Sequence, residues 1–193
     1  MGRKLTIHLE HDPDLENPSE NGDGQWQLYS FSTRHLRYKH PDKFNNIGMR
    51  RKLQVGLAFM LSYYEHSLCL WSLAGEGPKC PWDSVAHAGI LVWEEAPSNM
   101  GAKTHVARSE DARAFLETYT QWCNGECYSY AIEYEGEIID SCCGFYGGDH
   151  LFNTIAESIE PGDEVKYAGD CADLAIYHSN PVDERAKLAL YDH

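Results

Sequence analysis

The chain has 193 residues, with 30 acidic against 16 basic side chains and a formal charge of -14 at neutral pH. That charge excludes close approach to nucleic acid or an anionic membrane surface outside a local basic patch, and it points to basic or uncharged partners. No run approaches the roughly 18 apolar residues of a membrane span, and Met1-Gly2-Arg3-Lys4 leads into a strand pattern instead of a signal-peptide core.

Leu5, Ile7 and Leu9 alternate with Thr6 and His8, which predicts a first short strand. Residues 11–24 carry Asp12, Asp14, Glu16, Glu20 and Asp23 among prolines and glycines, a composition read as a mobile acidic loop. Trp26, Leu28, Tyr29 and Phe31 restore extended character. Arg34, His35, Arg37, Lys39, His40 and Lys43 then concentrate positive charge, either to grip phosphate or, the favoured reading, to balance the acidic loop. Segments 57–64, 67–73 and 89–93 read as neighbouring strands. Between the last two, Gly77-Pro78 and Cys80-Pro81-Trp82-Asp83-Ser84 form a loop, because proline cannot sit in a central strand, and Trp82 is expected to pack it down.

Ser109 as N-cap, Glu110 and Asp111 in the first turn and Asn124-Gly125 at the end predict a helix over 109–124. Its apolar face is Ala112, Phe115, Leu116, Tyr119, Trp122 and Cys123. Tyr128, Tyr130, Ile132 and Tyr134 alternate with Ser129, Ala131, Glu133 and Glu135, Glu135-Gly136 turns the chain, and Ile138 and Ile139 lead to Cys142. This is a β-hairpin. A second helix starts at Asp149 and stops at Pro161-Gly162, and a third short one runs from Asn180-Pro181 toward Leu190. The class that follows is α+β over a single domain, 1–193. Its largely antiparallel sheet joins the 57–93 strands to the 127–142 hairpin, with two or three flanking helices. Seven cysteines, an odd number without a secretory signal, predict mostly free thiols in a reducing cytosol.

Tyr64-Glu65-His66-Ser67, then Cys80-Pro81-Trp82-Asp83-Ser84 with Gly89, then Asp140-Ser141-Cys142-Cys143-Gly144-Phe145-Tyr146-Gly147 form an ordered set. Over 57–159 that set resembles an uncharacterised family of accessory proteins encoded by bacteriophages and mobile elements. This chain departs from the family at Glu65, where Asp is usual, at Leu68, where Gly is usual, and at Val85-Ala86, where Gly-Gln is usual. The resemblance implies a viral accessory protein working in the cytoplasm of a bacterial host.

Three chemistries compete for the notable residues. His66, Cys80, Asp83 and Asp140 contain a Cys-His pair with carboxylates, the parts of an activated nucleophile in a small hydrolase-like enzyme. Cys123, Cys127, Cys142 and His150, with Cys143 beside them, supply enough soft and imidazole ligands for a zinc-stabilised binding module. Glu133, Glu135, Glu137 and Asp140 crowd the hairpin with carboxylates, as a protein that imitates DNA requires. The third is the leading expectation. The protein would bind and inhibit a host defence or nucleic-acid-processing complex, in the manner of an anti-CRISPR or anti-restriction protein, through a basic surface of its target and with no cofactor.

Overall fold

The computed structural model describes residues 2–20, 26–178 and 180–187. Along the chain the strands are β1 (Lys4–His11), β2 (Trp26–Ser30), β3 (Ala58–His66), β4 (Leu68–Leu73), β5 (Ser84–Trp93), β6 (Cys127–Tyr134), β7 (Glu137–Tyr146) and β8 (Glu164–Ala168). The helices are α1 (Ile47–Gln54), α2 (His105–Cys123), α3 (Gly148–Glu157), α4 (Leu174–Tyr177) and α5 (Pro181–Lys187). The class is α+β. No helix among the described residues is long and apolar enough to cross a membrane.

One expectation is corrected. The 57–93 strands and the hairpin do not share a sheet. They lie in two four-stranded sheets, ordered β7-β6-β1-β8 and β2-β5-β3-β4. Alternation identifies a strand and its faces but carries no information on its neighbours. Correspondingly, the chain gathers into two compact units, one of residues 1–15 with 125–193 and one of residues 16–124.

In the first unit β1 is central, antiparallel to β6 with Ile7 opposite Ile132 and parallel to β8 with Ile7 opposite Tyr167. Its inward residues Leu5, Ile7 and Leu9 are buried with Tyr130, Ile132 and Phe145, beneath Leu151, Phe152 and Ile155 of α3. Each such side chain contributes about 1.5–3 kcal/mol. The β6–β7 ladder shifts register twice, between Tyr128 and Tyr130 and between Ile132 and Glu133, each time placing an extra residue in β7. Such bulges twist an edge strand away from regular pairing. They leave Ile138 and Ile139 exposed, so Ile139 is not the core residue that the hairpin pattern implies.

The second unit covers both faces of its sheet. Leu61, Tyr63, Trp71 and Leu91 pack under Ala112, Leu116 and Tyr119 of α2, while Tyr29, Ala58, Ile90 and Val92 pack against Phe44, Met49 and Leu53. Burial on both sides is why 89–93 reads as an unbroken apolar run. At Gly89 an added Cβ would lie 2.5 Å from the Tyr29 carbonyl oxygen, so the strand pairing itself requires glycine there.

α2 begins before the expected Ser109. Thr104 Oγ1 accepts from Ala107 N at 3.2 Å and is the cap, whereas Ser109 Oγ donates back to Val106 O inside the helix. Trp82 does not pack its loop down; it is 92% exposed. In the acidic connection Asn17 and Ser19 are buried. Ser19 O accepts from Gln27 Nε2 at 2.5 Å and from Arg37 Nη1 at 3.3 Å, so the basic segment clips this part of the connection. Residues 21–24 of that expected loop and 188–190 of the expected third helix lie outside the described residues.

Candidate functional site

The hairpin carboxylates divide between the two faces of their sheet. Asp140 stands opposite Ile132 on the core side, where Oδ2 accepts from the Tyr130 hydroxyl at 3.0 Å and from Ser158 Oγ at 2.6 Å. Glu133 follows the buried Ile132 by one position and so takes the other face, 3.0 Å from His8 Nε2. Only Glu135, in the turn at φ 52°, and Glu137, at the start of β7, are exposed. Register brings other acids to that end of the sheet: Tyr134 pairs with Leu5, and Lys4 with Glu164. Glu160, Asp163 and Glu164 stand there against Arg3 and Lys4.

The charge is divided unevenly between the units. Residues 1–15 and 125–193 hold 18 of the 30 acidic side chains but 5 of the 16 basic ones, so this unit has a charge of 5 minus 18, or -13, of the chain's -14. The other unit is nearly neutral.

Three of the four residues proposed for nucleophilic chemistry meet. Asp83 Oδ2 accepts from the Cys80 thiol at 3.2 Å and lies 3.4 Å from His66 Nδ1. The local fold holds Cys80, since Cys80 N donates to Ser84 Oγ at 2.9 Å and Ser84 N to Cys80 O at 3.0 Å. A base that activates a thiol must touch it. Here the carboxylate stands between the two, so the thiol proton points at Asp83 and the imidazole sits on the same oxygen. Asp140 belongs to the other unit.

The four-ligand metal set is a correction. Among the described residues no three His, Cys, Asp or Glu side chains gather as a metal site. Cys127 is buried, and burial, aided by Asp12 and Glu126, pushes its thiol up to about 11. Cys142 turns its thiol to the Cys143 carbonyl, and the His150 ring lies 5.5 Å from that of Phe145. All seven cysteines are free of disulfides.

A cavity of about 450 Å³ in the second unit is a concave site that sequence reasoning missed. Ser67, at φ 69°, turns β3 into β4 and sets Glu65 opposite Cys69 and Tyr63 opposite Trp71, so all four share the face toward α2. Glu65 Oε2 accepts from the Tyr63 hydroxyl at 3.0 Å and from Arg34 Nη2 at 2.9 Å. The His35 ring lies 4.8 Å from Tyr63 and 5.3 Å from Trp71, with Nδ1 2.7 Å from Ser30 Oγ. Burial, reinforced by Arg34, holds His35 below the ordinary imidazole value and therefore neutral at pH 7. Alternation across a one-residue turn at Ser67 was the signal that would have found Tyr63, Glu65, Cys69 and Trp71 together.

No protein-family model, no curated protein and no solved structure gives a significant match to this chain.

Proposed function

We propose that this protein is an acidic binding factor whose first unit occupies a basic surface of a nucleic-acid-handling complex, in the place that DNA would take. The observation that carries the reading is the concentration of charge: one unit holds -13 and the other almost none. A plain solubility requirement would spread carboxylates over the whole surface. Concentrated charge instead creates a directed field, which steers encounter with a basic groove and releases its counterions as DNA does. The docking face in this reading is the sheet end with Glu135 and Glu137, beside Glu160 and Glu164, which pair with Arg3 and Lys4. Glu133 and Asp140 are engaged within the protein by His8, Tyr130 and Ser158. In this reading the target is a defence nuclease or a related complex in the cytoplasm of a bacterial host, as the motif resemblance implies.

The test is affinity capture of a basic partner from a bacterial lysate by the tagged chain, followed by release with double-stranded DNA. Replacing Glu135 and Glu137 by Lys should abolish capture, while the same reversal at Glu94 and Glu95 of the near-neutral unit should leave it intact. Equal behaviour of the two double variants would refute the docking face.

A further inference from the structure

The second unit holds a pair of thiols that the acidic surface does not use. Cys69 lies on β4, an edge strand, and Cys123 is the last residue of α2. Asn124 locks the two elements together. Its Oδ1 accepts from Cys69 N at 2.8 Å and its Nδ2 donates to Cys69 O at 3.0 Å, so one side chain satisfies both outward backbone groups of Cys69. Thr120 Oγ1 accepts from Trp71 N at 3.1 Å one pleat further along. The final turn of α2 is thereby pinned to the strand edge, and Cys123 is held next to Cys69. Both thiols line the 450 Å³ cavity, with Tyr63, Trp71 and Trp122 as apolar walls and the Arg34–Glu65 ion pair as its charged groups.

We propose that Cys69 and Cys123 form a dithiol site that reduces low-molecular-weight disulfides admitted to this cavity. The neighbouring Cys123 thiol, followed by the Cys69 backbone, holds the Cys69 thiol below its ordinary value against burial and the Glu65 charge, which both push it up. A thiol with a lowered proton affinity beside a second thiol is the arrangement that attack and resolution require. The Cys69 thiolate attacks one sulfur of the disulfide, the S–S bond breaks, and the departing thiolate takes up a proton. Cys123 then loses its proton and attacks the Cys69 sulfur of the mixed disulfide. A Cys69–Cys123 bond forms and the second small thiol leaves. The protein dithiol is oxidised by two electrons and the small disulfide is reduced to two thiols. The cavity is sized for a small molecule. Cys127 and Cys171 lack these features, because burial pushes them up to about 11 and about 12.

The experiment treats the reduced full chain with oxidised glutathione at pH 7.5 and maps thiols by peptide mass spectrometry. The expected product is a Cys69–Cys123 cross-link. Cys123→Ser should instead retain a glutathione adduct on Cys69, and Cys69→Ser should slow glutathione release about tenfold or more. Alkylation of the unmutated protein gives an independent check that needs no variant: Cys69 should react at lower pH than Cys171. Adducts spread evenly over the exposed Cys142 and Cys143, with no Cys69–Cys123 link and no difference in alkylation midpoint, would overturn the proposal.

Discussion

Replacing Ile132 and Ile139 separately by Asp distinguishes the observed register from the simple hairpin pattern. Ile132 is 0% exposed, lies against Ile7 across the β1–β6 ladder and faces Asp140 across the β6–β7 ladder. Its replacement forfeits about 2–3 kcal/mol of apolar burial and sets a second carboxyl beside Asp140, which is held by the Tyr130 and Ser158 hydroxyls. A buried unpaired carboxyl adds at least about 2 kcal/mol even when it protonates. The sum, about 4–5 kcal/mol, is a large share of a typical total stability of about 5–15 kcal/mol. Ile139 sits where β7 carries an extra residue and is 45% exposed, so its replacement should cost no more than about 1 kcal/mol. Urea titrations followed by circular dichroism at pH 7 measure both. Equal destabilisation by the two variants would refute the bulged register and return Ile139 to the core.

Three further outcomes follow from the same contacts. Asp163 Oδ1 and Oδ2 accept from the Arg3 backbone N at 3.0 Å, from its Nε at 3.2 and 3.1 Å, from its Nη2 at 2.5 Å and from Glu160 N at 3.0 Å. Burial alone would raise the Asp163 carboxyl, but Arg3 and these backbone donors outweigh it and hold the carboxyl below its ordinary value. Its stabilisation is therefore complete above the unfolded value near 3.9 and is lost as pH falls through the folded one. Asp163→Asn should cost about 2–3 kcal/mol at pH 7, since Arg3 is partly exposed and rehydrates. The gap to the unmutated protein should close in melts toward pH 2. Gly89→Ala should cost about 1–3 kcal/mol by forcing β2 away from β5, whereas Gly101→Ala, with open space around it, should be within about 0.5 kcal/mol in the same melts. Thr104→Ala should destabilise by about 1 kcal/mol and Ser109→Ala by less, as the true cap of α2 requires.

Features encoded by neighbouring residues were legible in the sequence, and features assembled from distant ones were not. The hairpin strands, the Glu135-Gly136 turn and the Asn124 end of α2 depend on alternation, a positive φ and a cap, all within a few residues. Cys80 and Asp83 belong to one tight loop, so their meeting was within reach. The pairing of β1 with β6 depends on a segment more than a hundred residues away, and nothing local marks β8, a short strand with polar Glu164 and Lys166. α1 escaped for a related reason, because none of its residues is fully buried and its apolar face is thin. Cys69 looked like an ordinary strand residue in Leu68-Cys69-Leu70-Trp71, since its companion Cys123 arrives from another element.

The central claim, that the acidic unit stands in for DNA on a basic surface, is tested most directly by titrating the captured partner's DNA binding with the full chain at about 50 and about 200 mM salt. The account predicts mutual competition with double-stranded DNA, saturation near one chain per site and an affinity at least about tenfold weaker at the higher salt. Saturation far below one equivalent, or an affinity indifferent to salt and to DNA, would contradict it.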